Sequence, residues 1–133
     1  MAGAGAGIVT LRTLDADRAE AVERLCELLV PGSSRVGPVV YIDALLTGMP
    51  PDVQAGALAA IDALSPAAAR GAEALAEHER TPEFGFVRAL VVEAYYSDFV
   101  APGSEGPGAW SEIDFNSPLA TRLDKDWSYL GIA

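Results

Sequence analysis

Apolar residues recur at spacings of three and four along five stretches of the chain, the pattern that places them on one face of an α-helix. The predicted helices run from Asp15 to Val30, Pro38 to Leu46, Asp52 to Leu64, Pro66 to Arg80, and Pro82 to Tyr96. Their boundaries carry capping side chains, prolines suited to a first helical turn, or a Pro-Gly stop. We therefore predict an all-α fold of about five helices in a small bundle, followed by a long irregular C-terminal arm.

The third and fourth predicted helices meet at Ser65-Pro66, which the pattern indicates as an N-cap followed by a first-turn proline. Val53, Ala57 and Leu64 fall on the inward face of the third helix. Gly56 in that helix is either a weak point or a place of close helix–helix contact. The fourth helix has only Leu75 among its alanines, so we expect it to pack loosely near the surface.

The fifth predicted helix has the strongest apolar character. Its apolar residues extend around most of its circumference: Phe84, Phe86, Val87, Leu90, Val91, Val92, Ala94, Tyr95 and Tyr96. A helix that is apolar on most sides is usually buried on most sides. This helix is therefore either the centre of the bundle or a surface shared with a partner.

The chain divides into a flexible N-terminal tail (1–12), a helical domain (13–99) and an extended arm (100–133). Proline and glycine interrupt the arm, yet it contains large aromatic residues that need a surface to bury them. The arm either wraps its own bundle or anchors into a partner, and the two are compatible. Interface hot spots favour Trp and Tyr. The candidate partner-binding residues are Phe86, Tyr95, Tyr96, Phe99, Trp110, Phe115, Trp127 and Tyr129.

The charge balance excludes some classes of partner. The chain carries 19 acidic residues against 9 lysines and arginines, a formal net charge of −10, and Lys125 is its only lysine. Binding to nucleic acid or to anionic membrane surfaces depends on clustered basic residues, so we expect neither. No signal peptide or membrane-spanning run is evident, so we expect no membrane insertion and a cytoplasmic location.

Few residues suggest catalytic or metal chemistry. Cys26 is the single cysteine and lies on an apolar helical stripe, so it is a buried small hydrophobe or, alternatively, a reactive or inter-subunit thiol. His78 is the single histidine and lies between two glutamates near a helix end, where a cation suits the dipole. We expect no catalytic residue, metal site or cofactor-binding motif in this chain.

A stand-alone enzyme remains an alternative, because carboxylates and tyrosines are adjacent near the end of the fifth helix. Glu93 and Asp98 flank Tyr95 and Tyr96. A buried Glu93 would be a candidate for acid–base chemistry. A self-associating structural protein, with a dimer that buries the fifth helix, is a further alternative.

Three blocks of the chain resemble a known family. They are LCELLVPG at Leu25–Gly32, VVYIDALLTG at Val39–Gly48 with the following GALAAIDALS, and EAYYSDFVAPG at Glu93–Gly103. Members of the family typically have a helix with a Phe, followed by a Tyr-Ser-Asp-Pro-like stop. Over about Leu25 to Gly103 the chain resembles the gluconate 2-dehydrogenase subunit 3 family, the small subunits of membrane-associated flavin dehydrogenases.

The resemblance implies a hetero-oligomer in which the partner is a large FAD-dependent oxidoreductase of the glucose-methanol-choline type. That partner binds the FAD and oxidises an alcohol or sugar hydroxyl. The small subunit is not catalytic, and it supports folding, stability or export of the large subunit. This chain departs from the family in two places, because it has no twin-arginine export signal and because APGSEGPGAW replaces the family's glycine-rich segment after Tyr-Ser-Asp.

Overall fold

The computed structural model describes residues 10–113 and 128–132 of the chain. Its α-helices are α1 (Ala16–Leu29), α2 (Pro38–Thr47), α3 (Pro51–Arg70), α4 (Ala72–Ala76) and α5 (Pro82–Tyr96). Short 3-10 helices span Ser33–Val36, Ala109–Ile113 and Ser128–Leu130. The described residues contain no β-strand. The prediction of an all-α fold of about five helices is therefore confirmed.

The helix starts follow the capping chemistry of the sequence. The Asp15 carboxylate accepts a hydrogen bond of 2.8 Å from the Arg18 backbone N–H at the start of α1. At α5 the Thr81 hydroxyl accepts one of 3.1 Å from the Phe84 N–H. Proline occupies the first turn of α2, α3 and α5, where its missing N–H costs no intrahelical bond. These caps place the beginnings of α1, α2 and α5 where the sequence predicts them.

The predicted break at Ser65-Pro66 is wrong. Helix α3 continues through Pro66 to Arg70, because the apolar stripe that faces the core continues past the proline. The stripe consists of the buried residues Ala57, Ala60, Ile61, Leu64, Ala67 and Ala68. Pro66 is exposed, and the Ser65 hydroxyl donates a hydrogen bond of 2.7 Å to the Ile61 carbonyl one turn earlier. The helix ends instead at Gly71, whose φ of 113° few other residues adopt.

The main core is built where α1, α2, α3 and α5 meet. Helix α3 packs against α1 and α5, and α2 packs against α5. Leu25, Ile42 and Leu64 are among its fully buried side chains. A second, smaller cluster consists of Val36, Tyr95 and Ala109 and lies beside the C-terminal half of α5.

Helix α4 is shorter than predicted, since it spans only five residues, and its one large apolar residue, Leu75, is 3% exposed. Leu75 therefore joins the main core, while the alanines Ala72 and Ala76 on either side of it are exposed. None of the helices within residues 10–113 and 128–132 combines the length and apolar content that a membrane span requires.

Candidate functional site

Helix α5 has two different sides. The inward side consists of Val87, Leu90, Val91, Ala94 and Tyr95, all buried. The outward side carries Phe86, Ala89, Glu93 and Tyr96, which are exposed, and Val92, which is half-buried. The bundle therefore covers one side of α5 and, within the described residues, leaves the other open. We call Phe86, Ala89, Val92 and Tyr96 the outer face of α5.

The outer face lies on a helix with few charges, although the chain as a whole is strongly acidic. Helix α5 has three charged residues in 15 positions, Glu83, Arg88 and Glu93. Helix α1 has six in 14 positions, and its exposed surface is dominated by carboxylates. Two aromatic side chains on the outer face are well exposed, Phe86 at 37% and Tyr96 at 43%. Exposed aromatic residues with few charges nearby are typical of interaction surfaces.

A shallow apolar groove of about 300 Å³ lies between α3 and the beginning of α5. Val53 and Phe86 line its two sides, and Gly56 lies between them. Val53 is 44% exposed, so its predicted inward position is wrong. A Cβ placed on Gly56 would have no neighbour within 4 Å, which excludes a close contact at that glycine within the described part of the chain.

A tyrosine pair connects the end of the chain to α5. The buried Tyr41 hydroxyl donates a hydrogen bond of 2.9 Å to the Glu93 carboxylate. The same hydroxyl lies 3.4 Å from the hydroxyl of Tyr129, whose side chain is 65% exposed. Burial raises the pKa of the Tyr41 phenol, and the hydrogen bonds to Tyr129 and Glu93 raise it further. The Tyr41 hydroxyl thereby connects Tyr129, near the end of the chain, to Glu93 on α5.

A second cluster joins three distant parts of the chain. Arg35 Nη2 donates to the Tyr95 hydroxyl at 3.0 Å and to Glu112 Oε1 at 3.1 Å, and the Tyr95 hydroxyl donates to the same Glu112 oxygen. Arg35 Nη1 also donates to the carbonyl of Pro107. The hydrogen bonds from Tyr95 and Arg35 lower the pKa of Glu112, whereas burial raises the pKa of Tyr95. We call Arg35, Tyr95 and Glu112 the clasp.

The turn after α5 fixes the start of the arm. Asp98 has a positive φ of 67°, and its carboxylate accepts a hydrogen bond of 3.1 Å from the Trp110 backbone N–H. The Trp110 indole N–H donates to the Tyr96 carbonyl at 2.9 Å. Phe99 is buried with its ring centroid 5.3 Å from that of Tyr41. The arm therefore folds back across the C-terminal end of α5 at this point.

The candidate partner-binding residues fall into four groups. Phe86, Tyr96 and Tyr129 are exposed. Tyr95 and Phe99 are 1% exposed and pack inside the chain, because the arm covers the end of α5. Trp110 is half-buried, with both of its N–H groups bonded within the chain. Phe115 and Trp127 lie outside the described residues. Contact of all eight with a partner stays a prediction.

The structure also describes the surroundings of the cysteine, histidine and glutamate that the sequence analysis considered for chemical roles. Cys26 is fully buried, and burial raises the pKa of its thiol to about 12. His78 is half-buried, and its carbonyl accepts the Thr81 hydroxyl at 2.8 Å. Glu93 is exposed, so the buried carboxylate that acid–base chemistry would use is not formed there. In the described ranges no three His, Cys, Asp or Glu side chains are placed to hold a metal ion.

Sequence reasoning did not find the Val53 groove or the clasp. Val53 follows the helical period of the core stripe, so only the packing of α3 shows that it is exposed. Arg35 and Glu112 are 77 residues apart and lie in segments without a helical period. Comparisons with known proteins add no relative, since no family model, no curated protein sequence and no solved structure matches this chain.

Proposed function

We propose that this chain is a non-catalytic subunit that binds a larger protein through the outer face of α5. The observation that carries the proposal is the apolar, charge-poor outer face on a protein with a net charge of −10. The carboxylates elsewhere keep such a chain soluble, while the outer face has one exposed charged residue among its apolar side chains, Glu93, so little charge opposes its burial against another protein.

Several exposed side chains extend this face into a continuous candidate interface. Phe86 lines the groove together with Val53, and Tyr129 is connected to Glu93 through the Tyr41 hydroxyl. Aromatic side chains at the centre of an interface contribute most of its binding free energy, because they bury a large apolar area at a small entropic cost. Phe86 and Tyr96 are therefore the expected anchors.

The partner that we propose is a large FAD-dependent alcohol or sugar oxidoreductase, and the complex is proposed to be cytoplasmic. This identification rests on the resemblance of three blocks between about Leu25 and Gly103 to the small-subunit family. In this scheme the partner holds the flavin and performs the oxidation. The present chain stabilises the partner by covering apolar surface that would otherwise be exposed during its folding.

The test is affinity isolation of the tagged chain from its host, with the absorbance spectrum of the eluate. We expect a stoichiometric large subunit whose flavin absorbs at about 370 and 450 nm. Phe86→Asp and Tyr96→Asp should each abolish recovery of that subunit, because both place a charge in the interface. Ala72→Asp is the matched control, since Ala72 is exposed in α4 and its first turn tolerates an acidic residue.

The possible outcomes separate the two parts of the proposal. Undiminished recovery of the large subunit with Phe86→Asp and Tyr96→Asp would show that the outer face is not the interface. A stoichiometric partner without a flavin spectrum would retain the interface and refute the identity of the partner. A colourless, monomeric chain without any partner would overturn the proposed function.

A stand-alone enzyme has less support. Its candidate base, Glu93, is exposed, and its tyrosine neighbour Tyr41 has a raised pKa, which holds the phenol in its neutral form. The exposed carboxylate lacks the buried surroundings that raise the pKa of a catalytic base, and burial moves the pKa of Tyr41 away from neutral pH.

A further inference from the structure

The arm after α5 contains a segment in which Gly108 and Ala109 are buried while the other residues are exposed or half-buried. Residues 104–112, which we call the strap, follow Gly103, whose φ is 87°. Ala101, before that glycine, is buried in the main core, and its N–H donates a hydrogen bond of 2.8 Å to the Val36 carbonyl. The strap therefore begins just after Ala101, which is fixed in the bundle. The intervening Gly103 has a backbone conformation that few residues other than glycine adopt.

The strap meets the bundle at the small apolar cluster. Ala109 packs with Val36 and Tyr95 in the small cluster, which is separate from the main core of the helices. Ala109 is the strap's only contribution to that cluster, and burying one alanine contributes little to the free energy of unfolding. Apolar burial in the strap is therefore limited to Ala109 and part of the Trp110 side chain.

Hydrogen bonds also attach the strap to the bundle. Near its C-terminal end Glu112 is joined to Arg35 and Tyr95 in the clasp, and Trp110, two residues earlier, is bonded to Asp98 and to the Tyr96 carbonyl. The side chains of Arg35 and Glu112 are 37% and 48% exposed, so water and protons reach the clasp. Breaking the clasp requires no opening of the main core.

We propose that the strap is a releasable cover, which detaches from the end of α5 as a unit while the five helices stay folded. Release uncovers Tyr95 and Val36 and frees the Trp110 side chain, so the opened form presents a second apolar surface at the end of α5. Local opening of this kind is expected where a segment has few buried contacts and solvent-accessible bonds. The inference does not depend on the identity of a partner.

The titration of the clasp defines the conditions for release. The groups that act on Glu112 are Tyr95 from α5 and Arg35 from the first 3-10 helix, and the strap's other polar anchor on the α5 side is Asp98. The pKa of Glu112 is lowered in the closed form. Its contribution to holding the strap closed is therefore fully present above the ordinary glutamate pKa of about 4.3, and it is lost as pH falls through the lowered pKa. The pKa of Tyr95 is raised in the closed form. Its contribution to holding the strap closed is therefore fully present below the ordinary tyrosine pKa of about 10, and it is lost as pH rises through the raised pKa. Both contributions are present at neutral pH, so we expect the strap to be closed there and to open as one of them is lost in acid or in alkali.

The experiment follows the Trp110 indole and backbone N–H signals of the ¹⁵N-labelled full chain by NMR across pH, with helix content measured by circular dichroism. A Trp127→Phe variant assigns the Trp110 indole. In the wild type, we expect the Trp110 signals to reach their open-state shifts in acid before the helix signal falls. In Glu112→Gln the open population at neutral pH should rise on the order of tenfold, and the acid transition at Trp110 should become smaller than in the wild type.

Two further variants complete the test. Tyr95→Phe should remove the alkaline transition at Trp110. Glu105→Gln is the matched control, because Glu105 is an exposed carboxylate within the strap, and it should retain the wild-type profile. The proposal is overturned if Trp110 and the helices lose their structure at the same pH. It is also overturned if Glu112→Gln retains the wild-type population and acid transition.

Discussion

The carboxylate of Asp43, on α2, accepts a hydrogen bond of 2.8 Å from the backbone N–H of Leu14, just before α1. The same carboxylate accepts the N–H groups of Thr13 and Arg12, each at 2.9 Å. Asp43 is 3% exposed, so three consecutive backbone donors satisfy a buried charge. This contact fixes the path of the chain into α1 and places Leu14 in the core.

Replacing Asp43 should therefore destabilise the fold. In Asp43→Asn, one carboxylate oxygen that accepts these hydrogen bonds is replaced by an NH₂ group, which cannot accept them. We therefore expect a loss of about 2 to 3 kcal/mol in the free energy of unfolding. Urea denaturation followed by circular dichroism measures this loss. Asp52→Asn is the control, because Asp52 is exposed in the first turn of α3 and should change stability by less than about 1 kcal/mol. Equal losses in the two variants would contradict the role of Asp43.

The helices were predictable because their sequence signals are local. Caps such as Asp15 and Thr81 act within one turn, and the apolar period of α1, α2 and α5 covers ten or more residues each. The continuation of α3 through Pro66 was not predictable in this way. There the local preference for a helix start is overridden by packing of the buried stripe on both sides of the proline.

The sites were less predictable than the helices, because they depend on contacts between distant residues. The aromatic residues of α5 could be identified as interface candidates from their number alone. Which of them are exposed depends on the packing of the other helices, and this separates Tyr96 from its neighbour Tyr95. The clasp joins Arg35 to Glu112, and no periodicity connects these residues.

Two helix-associated glycines should respond in opposite directions to the same substitution. Gly56 lies inside α3 with open space around it, so Gly56→Ala should raise the free energy of unfolding by about 0.5 to 1 kcal/mol. Gly71 also has open space, but its φ is 113°, so Gly71→Ala should lower it by about 1 to 3 kcal/mol. Thermal and urea denaturation of both variants provide the comparison. Stabilisation by both alanines would refute the assigned conformation at Gly71.

Cys26 should be unreactive in the native protein. The side chain is fully buried, and burial, together with the charges of Glu23 and Glu27, raises the pKa of the thiol to about 12. At pH 8 almost none of the reactive thiolate is present, so we expect labelling by a disulfide reagent only at the rate at which the protein opens. In urea the thiol should react at once. Rapid labelling of the folded chain would instead support the alternative of a reactive cysteine.

The two sides of α5 can be distinguished with adjacent substitutions that introduce the same charge. Val87 is 3% exposed in the core, so Val87→Asp buries an unpaired carboxylate and should unfold the chain or cost more than about 4 kcal/mol. Phe86 is 37% exposed on the outer face, so Phe86→Asp should change the free energy of unfolding by less than about 1 kcal/mol. Urea denaturation of the two variants measures the difference. A large loss in Phe86→Asp would mean that the chain itself covers the outer face, as expected if the arm wraps its own bundle, and no partner would then be needed to explain the apolar surface of α5.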